Sequence, residues 1–370
     1  MTGTGPVAET DARRDRVRGC LLGLAVGDAY GAPLEFLRRS QILSRFGADG
    51  PPDLAPWGGH AGGSFTDDTQ MSVATARGLL DWRAASGWVP GAAVDHEALA
   101  QAVLKRYVAW HRSGEWQGRA PGTACLTALS GGHPVDSKGC GGVMRVAPLG
   151  CAGLEGAAFE AGARAAALTH QHHTSDAAAG FQALLVARLV GGDELRAAVA
   201  AARAALVAWC GLGEALAARP GPGGAPDAPA RPGAALDAVD AARGLAGAAL
   251  DAVDAAVGLA DDASVETYEA LGRIGDVGIE TPDGGGKGWV AEEALGIGLL
   301  CALRYEGDFA AALRAAAVIS GDSDSTASIA GAILGAAGGL AVIPADWLEV
   351  LEDRDALLDL ADELALPATG

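Results

Sequence analysis

The chain has 370 residues, half of them hydrophobic, enough to bury a sizeable core in one large domain or two ordinary ones. Glycine and alanine are prominent and aromatic residues make up only 5 %, a mix that suits closely approaching helices better than half-buried strands. A formal net charge of −19 argues against a surface built to neutralise the phosphates of a large nucleic acid, and the six cysteines, with no C-x-x-C pair, are read as reduced thiols.

In chain order, residues 1–14 are polar and are expected to form a disordered tail; no apolar signal core precedes the first structured segment, so the cytoplasm is the expected location. The first element, GCLLGLAVGDAYGAPLEF (19–36), carries Gly19, Gly23, Gly27 and Gly31 at four-residue spacing, which lines one ridge of a helix. Glycine costs about 1 kcal/mol against alanine inside a helix, so the ridge predicts another backbone packed close against it. Apolar residues at three- and four-residue spacing predict further helices over 69–86, 95–113, 121–130, 155–169, 174–190 and 193–210. Residues 219–233 read as a Pro/Gly-rich loop. AALDAVDAARGLA (234–246) then recurs as AALDAVDAAVGLA (248–260), a local duplication that lengthens one helix. Helical segments follow over 289–303, from Asp308, and after SGDSDST (320–326). The uncharged run 326–343 is long enough for a membrane span, but it is rich in glycine and alanine and lacks basic anchors, so a buried soluble helix is expected. The reading is one all-α domain over 15–365, with the loop as an insertion.

Two acidic clusters stand out. SFTDDTQMS (64–72) contains Asp67 and Asp68, and SGDSDST contains Asp322 and Asp324; both are set among hydroxyl residues at the start of a helix, with no basic residue in the local stretch. Adjacent carboxylates raise each other's pKa unless a cation neutralises them. Each cluster taken singly reads as a helix N-cap. Taken together, with Glu35 as a further candidate, they read as a site for one or two hard cations, because oxygen ligands without His or Cys suit Mg²⁺ or Mn²⁺. SKGCGGVMRVAPLG (137–150) adds a glycine-rich turn whose N–H groups could cradle phosphate, with Lys138 and Arg145 close by; a plain tight turn is the alternative. In LTHQHHTS, the neighbours His172 and His173 point apart on a helix, which disfavours zinc and leaves His170 as a pocket or cap residue.

The ordered set GDAYGAPLEF, FTDDTQMS, PGTACLTAL, GCGGVMRVAPLG, LTH, GWVAEEAL and GDSDSTASIAGAILGA resembles the ADP-ribosylglycohydrolase family over about 17–340. The resemblance implies a compact orthogonal multi-helix bundle with a binuclear Mg²⁺ or Mn²⁺ centre at the floor of a cleft. By matching motif, Thr66, Asp67, Asp68, Asp322, Asp324 and Ser325 would be metal ligands, Ser325 standing where many members carry threonine. Glu35 and Asp322 would handle the proton. Lys138, Gly139, Cys140, Gly141, Gly142, Val143 and Met144 would wrap the diphosphate and ribose, and His170 would contact the ligand. The implied activity is removal of ADP-ribose from a modified acceptor, foremost an arginine of a protein, by a monomer with no membrane or large nucleic-acid partner. The carboxylates alone also allow a two-metal phosphoesterase, and the fold alone a non-catalytic relative. Residues 209–263 match no element of the family.

Overall fold

A computed structural model of the chain describes residues 6–217, 234–275 and 286–365. Sixteen α-helices are seen among them. The first eight are α1 (Pro6–Gly31), α2 (Arg39–Phe46), α3 (Asp67–Ser86), α4 (His96–Ser113), α5 (Thr123–Gly131), α6 (Ala147–Cys151), α7 (Ala158–Ala167) and α8 (His173–Val190). The others are α9 (Leu195–Ala217), α10 (Ala234–Ala260), α11 (Thr267–Gly272), α12 (Ala291–Arg304), α13 (Phe309–Ala317), α14 (Ser323–Gly338), α15 (Ala345–Val350) and α16 (Arg354–Ala365). Pairing of extended backbone among the described residues is limited to isolated bridges, so the fold is all-α as expected. The periodic segments became helices close to their expected bounds. Local chemistry sets several ends: Asp95 caps α4 by accepting from Ala98 N at 3.0 Å, and α3 stops where Gly87 turns left-handed with φ 62°.

The glycine ridge does what its spacing predicts. On α1, a Cβ at Gly19, Gly23, Gly27 or Gly31 would fall inside the backbone of α14, at Gly335, Gly331, Ala327 and Ser323 in turn, and Gly331 and Gly335 return the contact. The partners run in opposite directions. The C-terminal end of α1 therefore lies against the N-terminal end of α14, and the segment after Gly31 is delivered to the GDSDS turn. Around this pair, α12, α13 and α8 pack on α14, while α16 covers α1. The buried side chains form one contiguous core.

The segment read as a disordered tail is partly helical, because α1 starts at Pro6. Arg13 holds that end down by donating to the carbonyls of Ala365 at 3.0 Å and Cys151 at 2.7 Å, the open C-terminal groups of α16 and α6. The Pro/Gly-rich loop 219–233 lies outside the described residues. Both copies of the duplication fall in the single helix α10, with Ala249, Ala252, Val253 and Ala256 of the second copy buried. The run 326–343 lies mostly in α14, and no helix of the described residues is long and apolar enough to cross a membrane.

Candidate functional site

Three chain segments meet where α1 ends. The first is the turn after α1, which carries Glu35. The second is the start of α3, where Thr66 caps the helix by accepting from Asp68 N at 3.2 Å. The third is the start of α14, where Asp322 caps the helix by accepting from Ser325 N at 3.2 Å. Capping and site residues are thus the same residues. A cavity of about 270 Å³ opens over them, walled by Glu35, Asp67, Asp68, Asp322, Asp324 and Ser325 on its acidic side.

Glu35, Asp322 and Asp324 each place a carboxylate oxygen within 4.8 Å of the others. Asp67 and Asp68 are 3 % exposed, and the Oδ2 of each is buried without a hydrogen-bond partner. Such atoms are costly in a folded protein unless something else contacts them. Burial and then the neighbouring Asp324 push Asp67 and Asp68 well above the usual carboxylate range, and Asp322 rises for the same two reasons. Glu35 is pushed up to about 12 by burial and by Asp324, Asp322, Asp67 and Asp28. What surrounds these groups is other carboxylates, and a cation is the ligand that would reverse the cost. The orphaned oxygens and the all-oxygen donor set fit a hard divalent cation.

Asp28 was missed in the sequence. Fully buried on α1, it accepts from Thr66 N and Thr69 N at 2.9 Å and from the Thr69 hydroxyl at 2.6 Å, so it fixes the first turn of α3 beneath the site. Its pKa is raised to about 7, by burial and then by Asp324. Its place next to Gly27 on the ridge, one turn before Gly31, was the available signal.

The glycine-rich turn forms the opposite wall. Cys140–Gly142 makes a 3-10 turn tied to the segment before α12, with Cys140 N donating to Trp289 O at 3.0 Å and Ala291 N to Lys138 O at 2.8 Å. Gly139, Cys140, Gly141 and Met144 line the cavity, whereas Lys138, Gly142 and Val143 are not in its wall. Lys138 is instead ion-paired with Glu292, Val143 is fully buried, and a Cβ on Gly142 would strike the Ser175 hydroxyl. The Cys140 thiol donates to Asp322 Oδ2 at 2.8 Å. Arg145 turns inward, fully buried, with its guanidinium on Thr169 Oγ1 at 2.5 Å and 4.5 Å over the Tyr107 ring. His170 lines the cavity, packed against Gly139 and Gly141, with its Nδ1 2.8 Å from Thr169 Oγ1; burial and then Arg145 lower its pKa to about 3. The cap of α8 falls to His172, whose ring accepts from Thr174 N at 3.2 Å. Phe36 and Trp289, which carried no expectation, stack at the mouth with centroids 5.3 Å apart.

The structure is therefore that of an all-α protein with a buried cluster of carboxylates, able to hold a cation, beside a glycine-rich turn. The chain belongs to the ADP-ribosylglycohydrolase family, whose model matches residues 9–369. It is 32 % identical over 198 residues to an ADP-ribosyl-[dinitrogen reductase] glycohydrolase of Rhodospirillum rubrum, covering 50 % of this chain and 60 % of that protein. It is also 32 % identical over 149 residues to the ADP-ribosylarginine hydrolase Tri1 of Pseudomonas putida, covering 36 % of this chain and 35 % of that one. Both matches thus span less than two thirds of the relative's length. A solved structure described as an ADP-ribosylglycohydrolase-related protein complex shares the fold with a TM-score of 0.63 at 24 % identity, over 96 % of this chain and 98 % of that one.

Proposed function

We propose that the chain is a divalent-cation-dependent hydrolase that removes ADP-ribose from a modified acceptor, foremost an arginine of a protein. The observation that carries this reading is the convergence of two distant acidic helix starts on one cavity, with the Oδ2 atoms of Asp67 and Asp68 left without protein partners. Thr66, Asp67 and Asp68 from one side and Asp322, Asp324 and Ser325 from the other would hold two Mg²⁺ or Mn²⁺ ions. When bound, such ions acidify and position a water and hold the hydroxyls of a ribose.

The protein's own groups do the rest. The backbone of Gly139–Gly141 and His170 flank the place where the ADP-ribose would lie. Asp322 is engaged by the Cys140 thiol and by its own cap, so Glu35, half-buried in the turn after α1, is the better placed carboxyl to move a proton between water and leaving group. Asp28 and Cys140 position the groups that would touch the ions. A two-metal phosphoesterase has less support: Lys138 is paired with Glu292 and Arg145 is buried on Thr169, so neither presents a cation to a transferring phosphoryl group.

The test is a panel of ADP-ribosyl-arginine, ADP-ribosyl-serine and poly-ADP-ribose, assayed with Mg²⁺ and with Mn²⁺. Turnover of the arginine adduct that stops with EDTA and returns with either ion is expected. Full activity in excess EDTA would sink the metal-centred reading, and release of phosphate from simple esters would favour the phosphoesterase.

A further inference from the structure

The acidic cavity does not end at Glu35. Glu35, Phe36 and Ala120 also line a second lobe of about 530 Å³, whose far wall holds Trp57 and His60. These three residues, common to both walls, form a sill between the lobes. Two of them hold left-handed backbone that residues with side chains avoid, Phe36 at φ 64° and Ala120 at φ 54°. Strain of this kind collects at functional sites. It leaves the Phe36 ring 69 % exposed, stacked on Trp289, where burial gives it little reason to stay.

The far wall is pre-formed. Trp57 Nε1 donates to Ser64 O at 2.8 Å, and the His60 ring lies 4.8 Å from the Trp57 ring with its Nε2 3.0 Å from Gly118 O. The loop that carries Gly118 and Ala120 is fastened by Arg119, which grips both oxygens of Glu352 at 2.7 and 2.8 Å and donates to Phe65 O at 2.6 Å. Arg45 also lines this lobe, with its guanidinium 4.8 Å over the Phe46 ring.

Aromatic faces on two sides and the Glu35 carboxyl oxygens on the sill, with the Arg45 guanidinium drawn onto Phe46, match a planar hydrogen-bond donor that stacks. A guanidinium is planar, always charged and stacks on aromatic rings. We infer that this second lobe is the acceptor subsite, holding the arginine guanidinium and its flanking peptide over Phe36 and Trp57 while ADP-ribose occupies the lobe of Asp67 and Gly139. The inference rests on the hydrolase reading above. A nucleobase would stack as well, but a chain of net charge −19 is poorly suited to the polynucleotide attached to it. A serine acceptor has no planar group for these walls to recognise.

The test compares the full chain with Trp57→Ala and Trp57→Phe on an ADP-ribosyl-arginine peptide, with free ADP-ribose titrated into each protein as a control. Trp57→Ala should raise KM for the peptide about tenfold and change kcat less than about twofold, the loss expected of one stacking face. Its affinity for free ADP-ribose should equal the wild type's, and Trp57→Phe should recover most of the lost KM. If Trp57→Ala does not fold, His60→Ala, which alters the far wall of the second lobe alone, is read in the same way. The inference is overturned if a folded variant keeps its KM, if ADP-ribose affinity falls in parallel, or if the wild type prefers an ADP-ribosylated nucleobase. A wild type inert toward every ADP-ribosyl adduct would overturn the hydrolase reading itself, whereas turnover indifferent to Trp57 and His60 overturns the acceptor subsite alone.

Discussion

Two groups of buried charge lie on either side of the turn before α14, and they meet the cost of desolvation in opposite ways. Lys287, fully buried, has its ammonium 3.7 Å from the Glu293 carboxylate and donates to the Ile274 carbonyl, while Gly288 N donates to Glu293 at 3.2 Å. Its counter-charge is built in. Across the turn, Glu35, Asp67, Asp68, Asp322 and Asp324 gather like charges, and the basic side chains nearby are engaged elsewhere: Lys138 with Glu292, Arg119 with Glu352. The difference separates a structural charge from a functional one. A pair that only has to stay folded carries its partner in the chain, whereas a cluster that keeps the Asp67 and Asp68 Oδ2 atoms bare leaves room for a ligand to neutralise it.

The largest effect should come from changing one member of the bare cluster. Asp67→Asn keeps the shape and removes one charge. Because even indirect partners of metal ligands typically contribute about ten- to a hundredfold to activity, this direct substitution should lower turnover of ADP-ribosyl-arginine more than about a hundredfold. The same change should make the metal-free protein more resistant to urea than the wild type, since folding no longer has to bury that carboxylate and protonate it. Undiminished activity would refute the site, and a metal-free variant weaker than the wild type would refute the account of its charge.

Lys287 gives the converse. Lys287→Ala leaves Glu293 buried without its counter-charge and should lower stability by about 3 to 5 kcal/mol in urea titration, with or without Mg²⁺. Lys287→Met combined with Glu293→Leu should recover most of that loss, because the pair is then removed as a unit. If the double variant is no better than the single, Lys287 acts through Ile274 and not through Glu293.

The sequence carried unequal amounts of information about these regions. The four-residue glycine spacing on α1 was enough to foresee a backbone pressed against it, because a missing side chain is a local statement about a neighbour. The pairs Asp67-Asp68 and Asp322/Asp324 were legible because like charges placed side by side without a basic residue violate local electrostatics. Asp28 was legible only as a residue beside the glycine ridge: a single carboxylate in an apolar helix becomes meaningful only when α3 is brought over it, and its partners lie 38 and 41 residues on. Lys138 was misleading for the same reason. Its nearness to the glycine turn suggested a phosphate, but Glu292 on the distant α12 reaches it first. The sill between the two lobes was equally hidden, since positive φ at Phe36 and Ala120 has no marker in residues that are neither glycine nor asparagine.

The smallest effect is the most diagnostic of how the cluster is balanced, and it is read from pH. In the metal-free protein Asp28 and Glu35 have pKa values raised to about 7 and about 12, chiefly by burial and then by Asp324, so the folded chain holds protons that the unfolded chain releases. Raised carboxyls contribute stability that is full below their ordinary range near pH 4 and is lost as pH climbs through the folded values. His170, lowered to about 3 by burial and then by Arg145, works the other way, and its contribution is present above about pH 6.5 and lost as pH falls. Between pH 6.5 and 7.5 the histidine's opposition to the carboxyls fades, and stability in EDTA should fall by roughly 1.5 kcal/mol per pH unit up to about pH 8. With saturating Mg²⁺ the slope should flatten or reverse, because holding a cation requires those protons to leave, and binding tightens as pH rises. Urea titrations at pH 6.5, 7.25 and 8 in both conditions decide it. Parallel slopes with and without the ion would mean that the buried carboxylates are not where it binds.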